Sequence, residues 1–181
     1  SGVIWGDEGL VVTNAHVVRG SAATVELWDG RMLSARVSKR DLGRDLAALR
    51  VDGDPLPKAE IADSGRLRVG ELVLAIGNPL GFTGALTTGV VHSLGVIRGL
   101  GREPWVLADV RLAPGNSGGP LADACGRVVG INTMILHGLG LAIPSDRIAR
   151  FLKRDQQRHA LGVLVRPVPA PGSRMGLLIL E

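Results

Sequence analysis

Up to Pro144 the chain is a succession of short apolar runs, and most of the breaks between them carry Gly, Pro, Asn or Asp. "GVIWG" and "GLVVT" flank the turn residues Asp7 and Glu8. "ATVELW" and "RMLSARVS" flank Asp29-Gly30, a two-residue hairpin signal. "DLAALRV", "ELVLAIG", "LTTGVVHSL", "WVLADV", "GRVVGINTMI" and "LGLAIP" follow. Many of these runs alternate with a period of two, and no long helical period interrupts them. A chain of many short strands without helices between them builds an all-β barrel or sandwich.

One stretch departs from this pattern. From Ser145, a good N-cap, "DRIARFLKRDQQRH" sets Ile148, Phe151 and Leu152 at helical spacing. Arg147, Arg150, Arg154 and Arg158 fall on another face, which reads as a solvated basic side. Residues 145–159 hold five Arg or Lys against two Asp, so they carry most of the net charge of +4. The remainder is nearly neutral, with five aromatic residues and no Tyr. A nucleic-acid binder needs a broader basic surface and stacking rings, so that class is set aside. The apolar share of 45% is enough for a core, yet no run approaches the ~20 residues of a membrane span. The single Cys125 excludes an internal disulfide. The four His and one Cys lack metal-ligand spacing, and neither a phosphate loop nor a dinucleotide fingerprint is present, so no cofactor is expected.

The chemistry centres on "APGNSGGPL", residues 113–121, where small residues crowd Ser117. Such neighbours let the backbone turn sharply and let a carbonyl come close to the hydroxyl. They also let successive N–H groups face one cavity, where they can hold an oxyanion. A serine nucleophile needs a base. His16, in "VVTNAHVV", follows an apolar strand that would fix its position. His92, His137 and His159 lie in a strand, a loop and the basic helix, and read as bystanders. The base in turn needs an orienting carboxylate. Asp45 heads "DLAALRV", whereas Asp41, Asp52 and Asp54 lie in polar turn segments. The order His16, Asp45, Ser117 is the chymotrypsin order, and it agrees with the all-β pattern.

With these residues in place, "SGVIWGDEGLVVTNAHVV", "RDLAALRV", "AIGNPLGFTGALTTGVV" and "APGNSGGPL…VVGINTMI…GLGLAIPS" resemble, in order, the HtrA/Deg (DegP-like) family of trypsin-like serine proteases over about residues 1–150. The resemblance implies two six-stranded β-barrels with the triad between them, and oxyanion donors at the N–H groups of Gly115, Asn116 and Ser117. It implies that Asn132, Thr133, Met134 and Ile135 pair as an edge strand with substrate. It implies an endopeptidase for unfolded or damaged proteins, acting through an acyl-enzyme in protein quality control. The alternative on the same fold is a catalytically silent chaperone or scaffold. Extracytoplasmic location, a homotrimer and an N-terminal membrane anchor are compatible with the family. Both ends read as cut, with one or more strands ahead of Ser1. The expected organisation is a protease domain at 1–144, a linking helix at 145–160 and an incomplete PDZ start at 161–181.

The sequence also departs from its resemblance. Asn116 stands where digestive proteases carry an Asp that pairs with a cut N-terminus, so activation would rest on loop ordering around 111–116 and 136–140. "MILHGLGLAIPS" is shorter than in many relatives. Asp109, in "ADVRLA", matches a structural Asp of the family better than the base of an Arg pocket. Ala160 replaces the Tyr of the PDZ "YLGV" element.

Overall fold

The computed structural model describes residues 1–53 and 55–153 in full, and the backbone of 164–170 and 174–180. Five strands come first: β1 (Val3–Gly6), β2 (Leu10–Thr13), β3 (Ala22–Glu26), β4 (Met32–Asp41) and β5 (Leu46–Val51). They pair antiparallel in the order β1-β2-β5-β4-β3. Six more follow: β6 (Leu72–Gly77), β7 (Ala85–Val96), β8 (Pro104–Ala108), β9 (Pro120–Asp123), β10 (Val128–Leu136) and β11 (Leu139–Pro144). These close into a barrel ordered β10-β11-β8-β7-β6-β9. The all-β reading holds, with one difference. The second barrel has the six strands expected of it, whereas the described strands of the first form a five-stranded sheet with β1 and β3 at its edges. Strand β9 coincides with "PLAD", too short a run to stand out from the glycine-rich loop before it.

Burial explains which strands alternate and which do not. Strand β3 buries every second residue only partly, so it has one solvated face. In β5, only Arg50 is exposed. Its Leu49 and Val51 enter the core of the first sheet with Val11, Val18 and Ala35. Its Leu46 and Ala48 face the other way, into a second cluster with Val12, Trp105, Ile131, Leu141 and Ile143. That cluster joins the two sheets. A strand buried on both faces loses its polar alternation, so "DLAALRV" marks the seam between barrels. The closed barrel has its own core of Val73, Ala75, Val91, Val106, Leu121 and Val129.

The hairpin between β3 and β4 differs from the expected two-residue turn. Leu27 N–H donates to the Arg31 carbonyl at 2.9 Å, and Trp28, Asp29 and Gly30 form a three-residue loop. Gly30 takes φ of 83°, the left-handed residue that such a loop requires.

Helix α1 spans Ser145–Lys153. Ile148 and Phe151 are buried in the seam cluster, and Leu152 packs against it, as their spacing predicts. The solvated arginine stripe needs a correction: Arg147 is buried at 3% exposure. Its guanidinium lies over the Trp105 ring, 4.3 Å from the centroid, and donates to the Pro104 carbonyl at 3.1 Å. Periodicity places Arg147 on its face of the helix correctly, but cannot show that β8 brings an aromatic ring to meet it. Expectations for 154–163 lie outside the described residues. Beyond them, β12 (Leu164–Ala170) and β13 (Arg174–Leu180) form an antiparallel hairpin, Leu164 opposite Leu180.

Candidate active site

His16 is presented by the turn that ends β2. Thr13, Asn14 and Ala15 are buried, and Val17 N–H closes the turn on the Asn14 carbonyl at 3.2 Å. Asp45 ends the β4–β5 turn with φ of 54°, a left-handed conformation that is uncommon for a non-glycine residue. The two meet across the first sheet. His16 Nδ1 lies 2.8 Å from Asp45 Oδ2 and 2.9 Å from Oδ1. The His16 backbone N–H donates to Oδ1 at 3.1 Å, and the Thr133 hydroxyl donates to Oδ2 at 2.7 Å. Asn14 Nδ2 donates to the Asp45 carbonyl at 2.9 Å. An ionised carboxylate only accepts, so the ring proton belongs on Nδ1 and the lone pair on Nε2. The His16 side chain is half exposed.

Ser117 comes from the second barrel and is linked to Asp45 through Thr133. The Ser117 hydroxyl donates to the Thr133 carbonyl at 2.9 Å, while the Thr133 hydroxyl holds Asp45. One residue of β10 therefore touches both. Here the serine hydroxyl bonds to Thr133 and not to the His16 imidazole. The structure brings His16 and Asp45 into direct contact, and ties Ser117 to Asp45 through Thr133.

The glycines around Ser117 are required by backbone approach. A Cβ on Gly115, whose φ is 109°, would stand 2.2 Å from the Asn78 carbonyl oxygen. One on Gly118, φ of 84°, would stand 2.1 Å from Thr13 Oγ1. The peptide groups of this loop are also oriented. The Pro114 carbonyl accepts from Leu80 N–H at 3.1 Å, and the Asn116 carbonyl accepts from Gly119 N–H at 3.0 Å. In a trans peptide the N–H points opposite to the carbonyl. Gly115 and Ser117 thus direct their N–H groups away from those partners, and neither has an acceptor among the described residues. Asn116 does not join them: its N–H is used by the Ala113 carbonyl at 3.0 Å. Of the three expected donors, the Asn116 N–H is thus already used. The Asn116 side chain is buried against Gly77. Ser1 Oγ braces the loop, accepting from Asn78 N–H at 3.0 Å and donating to the Gly115 carbonyl at 2.7 Å.

The expected substrate strand is also narrowed. Asn132 is buried at 1% exposure, its N–H donates to Gly119 and its carbonyl accepts from Gly118, so it has no free edge. Strand β9 covers β10 only as far as Ile131. Thr133 lies at a shift in register, and from Met134 to Leu136 β10 pairs with β11 on one side and with no strand on the other among the described residues. Beside this edge, Leu112, Ala113, Pro114, Asn116, Ser117, Thr133, Met134 and Ile135 line a cavity of about 310 Å³ with no charged side chain. Asp109 does not line it and is exposed, as are His92 and His137; His159 lies outside the described residues. The roles of Asn14 and of the Thr133 hydroxyl toward Asp45 were not legible in the sequence. The only hint was the position of Asn14 two residues before His16.

Comparison with known proteins agrees with this geometry. The chain matches the trypsin-like peptidase domain over residues 1–131. It is 41% identical to a probable periplasmic serine endoprotease, DegP-like, of Halomonas elongata, over 93% of this chain and 38% of that protein. It is 43% identical to the putative serine protease HhoB of Synechocystis sp., over 90% of this chain and 42% of that protein. The chain thus spans about two fifths of the length of these curated relatives. Among solved structures, the HtrA-type protease AlgW with a decapeptide superposes with a TM-score of 0.78 at 33% identity, over 98% of this chain and 61% of that one. The family match covers most of the chain, both strand sheets included up to the start of β10, and the chain belongs to the trypsin-like peptidase domain family.

Proposed function

We propose that this chain is a serine endopeptidase of HtrA type that hydrolyses unfolded polypeptide, with His16, Asp45 and Ser117 as its catalytic residues. The observation that carries the reading is the pair of contacts made by Thr133, which ties the Asp45–His16 pair to Ser117 beneath two unpartnered amides.

An extended substrate adds a strand to the open edge of β10 from Thr133 onward, and its side chain before the scissile bond enters the apolar cavity. Only a segment freed from its own fold can pair in this way, which favours unfolded chains. Substrate backbone arriving at Thr133 competes for the carbonyl that holds the Ser117 hydroxyl. Released, Ser117 Oγ attacks the substrate carbonyl carbon as its proton passes to His16 Nε2. The carbonyl oxygen, now an anion, is met by the N–H groups of Gly115 and Ser117. Asp45 stabilises the imidazolium. His16 then gives the proton to the leaving amine as the C–N bond breaks, leaving an ester on Ser117. Water, deprotonated by His16, attacks that ester; as the ester C–O bond breaks, His16 returns the proton to Ser117 Oγ, which frees the acid and restores the serine.

The relatives' names favour an extracytoplasmic location. Leu72 and Val90, paired neighbours on β6 and β7 and both exposed, offer an apolar face to a second copy, consistent with a homotrimer. Residues 1–144 form the protease domain of this proposal, with the linking helix at 145–160 and an incomplete PDZ start at 161–181.

The test is labelling by a fluorophosphonate probe together with casein cleavage. Wild-type chain is expected to label and cleave, and Ser117→Ala to do neither, a loss of about 10⁴-fold or more. Cleavage that persists in a pure Ser117→Ala sample would remove the nucleophile assignment. An intact, unlabelled wild-type chain that holds unfolded casein without cutting it would favour the silent scaffold.

A further inference from the structure

The backbone of the turn that carries Asp45 is only weakly closed. Leu42 at its tip is 77% exposed, and its internal bond, Asp45 N–H to the Leu42 carbonyl, is long at 3.3 Å. A residue kept at positive φ persists only where its surroundings over-determine it. Asn14, His16 and Thr133 bond to Asp45 itself, and the rest of the turn is anchored through the neighbouring residue, Arg44.

Arg44 is held on two sides. Within the turn its backbone N–H donates to Asp41 Oδ1 at 3.1 Å, and its Nη1 donates to Asp41 Oδ2. Across the seam its Nε donates to Glu103 Oε1 at 3.0 Å, with Nη2 at the same distance. Glu103 belongs to the β7–β8 loop of the second barrel. Its other oxygen faces helix α1: Arg147 Nε stands 3.2 Å away, in ion-pair range but off the line of a hydrogen bond, and Arg150 Nη2 stands 3.7 Å away. The Arg147 side chain is 4% exposed, and Trp105 and the Pro104 carbonyl fix it further. One carboxylate thus joins three guanidinium groups from two elements; those of Arg44 and Arg147 are largely buried, and that of Arg150 is exposed. Burial raises the Glu103 carboxyl, but the Arg44 hydrogen bond and the Arg147, Arg44 and Arg150 charges outweigh it and hold it below the usual range. Glu103 is therefore ionised in the bridge.

We propose that Arg44 and Glu103 are positioning residues for Asp45, and that the bridge Arg44–Glu103–Arg147 couples helix α1 to the orientation of His16. The inference rests on the triad reading above. The bridge spans the first sheet, the second barrel and the helix, and it ends one residue before the carboxylate that fixes the imidazole. Loosening it frees the turn, lets the Asp45 carboxylate swing and weakens its grip on Nδ1–H. The helix is thereby able to bias catalysis without touching substrate.

The experiment compares wild type, Arg44→Gln, Arg44→Lys and Arg147→Lys, with Arg36→Gln as control. Arg36 makes an equally short pair with Asp52, at 2.9 Å, on open surface. Two readouts are taken on folded protein: the low-field proton resonance of His16 Nδ1–H, and steady-state cleavage of an unfolded peptide. For Arg44→Gln, the resonance is expected to broaden through exchange with water. Its kcat should fall about tenfold with KM unchanged, in keeping with what a small misplacement costs. Arg44→Lys should recover most of both. Arg147→Lys should move both in the same direction by less, and keeps the test open if Arg44→Gln does not fold. Arg36→Gln should move neither. A sharp wild-type resonance and wild-type kcat in Arg44→Gln would overturn the bridge. So would a loss of kcat with the resonance intact, the mark of a merely structural role. If the resonance responds as expected but wild type cleaves nothing, the nucleophile reading fails and the bridge stands.

Discussion

Placing a methyl group on Gly115 tests the oxyanion site without touching any member of the triad. In Gly115→Ala the new Cβ would stand 2.2 Å from the Asn78 carbonyl oxygen, 2.8 Å from its carbon and 2.9 Å from Pro79 Cα. Ordinary contact begins near 3.4 Å, so the shortfall is about 1.2 Å (3.4 − 2.2), and all three atoms are backbone. The φ of 109° is also closed to alanine, at a strain of about 1–3 kcal/mol. The 114–115 peptide is therefore the part that turns, breaking the bond between Leu80 N–H and the Pro114 carbonyl. Once that carbonyl swings, the Gly115 N–H no longer faces the cleft. Losing one oxyanion donor costs about 10²–10³ in kcat, or roughly 2.7–4 kcal/mol. KM for a peptide should change less than kcat, because the edge of β10 and the Thr133, Met134 and Ile135 side of the cavity are untouched. Steady-state kinetics on a chromogenic peptide, with circular dichroism to confirm the fold, measures both. A folded Gly115→Ala variant with wild-type kcat would refute the assignment of that N–H.

Thr133→Val removes the hydroxyl that donates to Asp45 at 2.7 Å while keeping the carbonyl that holds Ser117. Its kcat is expected to fall about tenfold with the fold intact, since one charge-assisted hydrogen bond is worth roughly 1.5–3 kcal/mol and Asp45 keeps its other donors; unchanged kcat would show that hydroxyl to be idle. Acid stability tests the bridge thermodynamically. Glu103 and Asp41 are both lowered by their arginine partners against the opposing effect of burial. A depressed folded-state value makes a contribution that is full above the ordinary 4.5 of Glu103 and 3.8 of Asp41, and is lost as pH falls through the folded values. The melting temperature should hold from neutral pH to about pH 5 and fall below it. The fall should be shallower in Arg44→Gln, and equal slopes in the two proteins would contradict the linkage.

The sequence spoke clearly where burial is one-sided or the residue type is unusual for its place. Strands β3, β4 and β7 alternate because one face is wet. The apolar run of β5 signalled burial on both faces, and the seam cluster supplies the second face. His16 and Asp45 were legible because each sits at the end of such a strand. What the sequence hid was long-range partnership. Arg147 looked like one of four stripe arginines, since helical spacing carries no record of Trp105, 42 positions earlier. Asn132 looked like part of a substrate edge, since nothing local to "NTMI" records that Gly118 and Gly119 already fill its backbone groups. Strand β9 was hidden for the same reason: four residues acquire strand character only between β6 and β10.

The glycines of "APGNSGGPL" show why one stretch could be read for function and still be misread in detail. Small residues around a serine signal close approach of something, and sequence alone suggests substrate. The structure shows that the chain itself is the closest neighbour: Asn78 at Gly115, Thr13 at Gly118 and the Ile76 carbonyl at Gly119. The three contacts come from separate parts of the chain, β2, the end of β6 and the loop after it. They make the loop tight, and in it the 114–115 and 116–117 peptides turn their carbonyls to Leu80 and Gly119 and leave their N–H groups without an acceptor among the described residues. Asn116, between them, must use its own N–H to close the turn on Ala113. In this loop the Ala113 carbonyl takes the middle amide, so the outer two are the ones left without an acceptor among the described residues. The two amides proposed to meet the oxyanion therefore belong to the same close-packed loop that makes the glycines necessary.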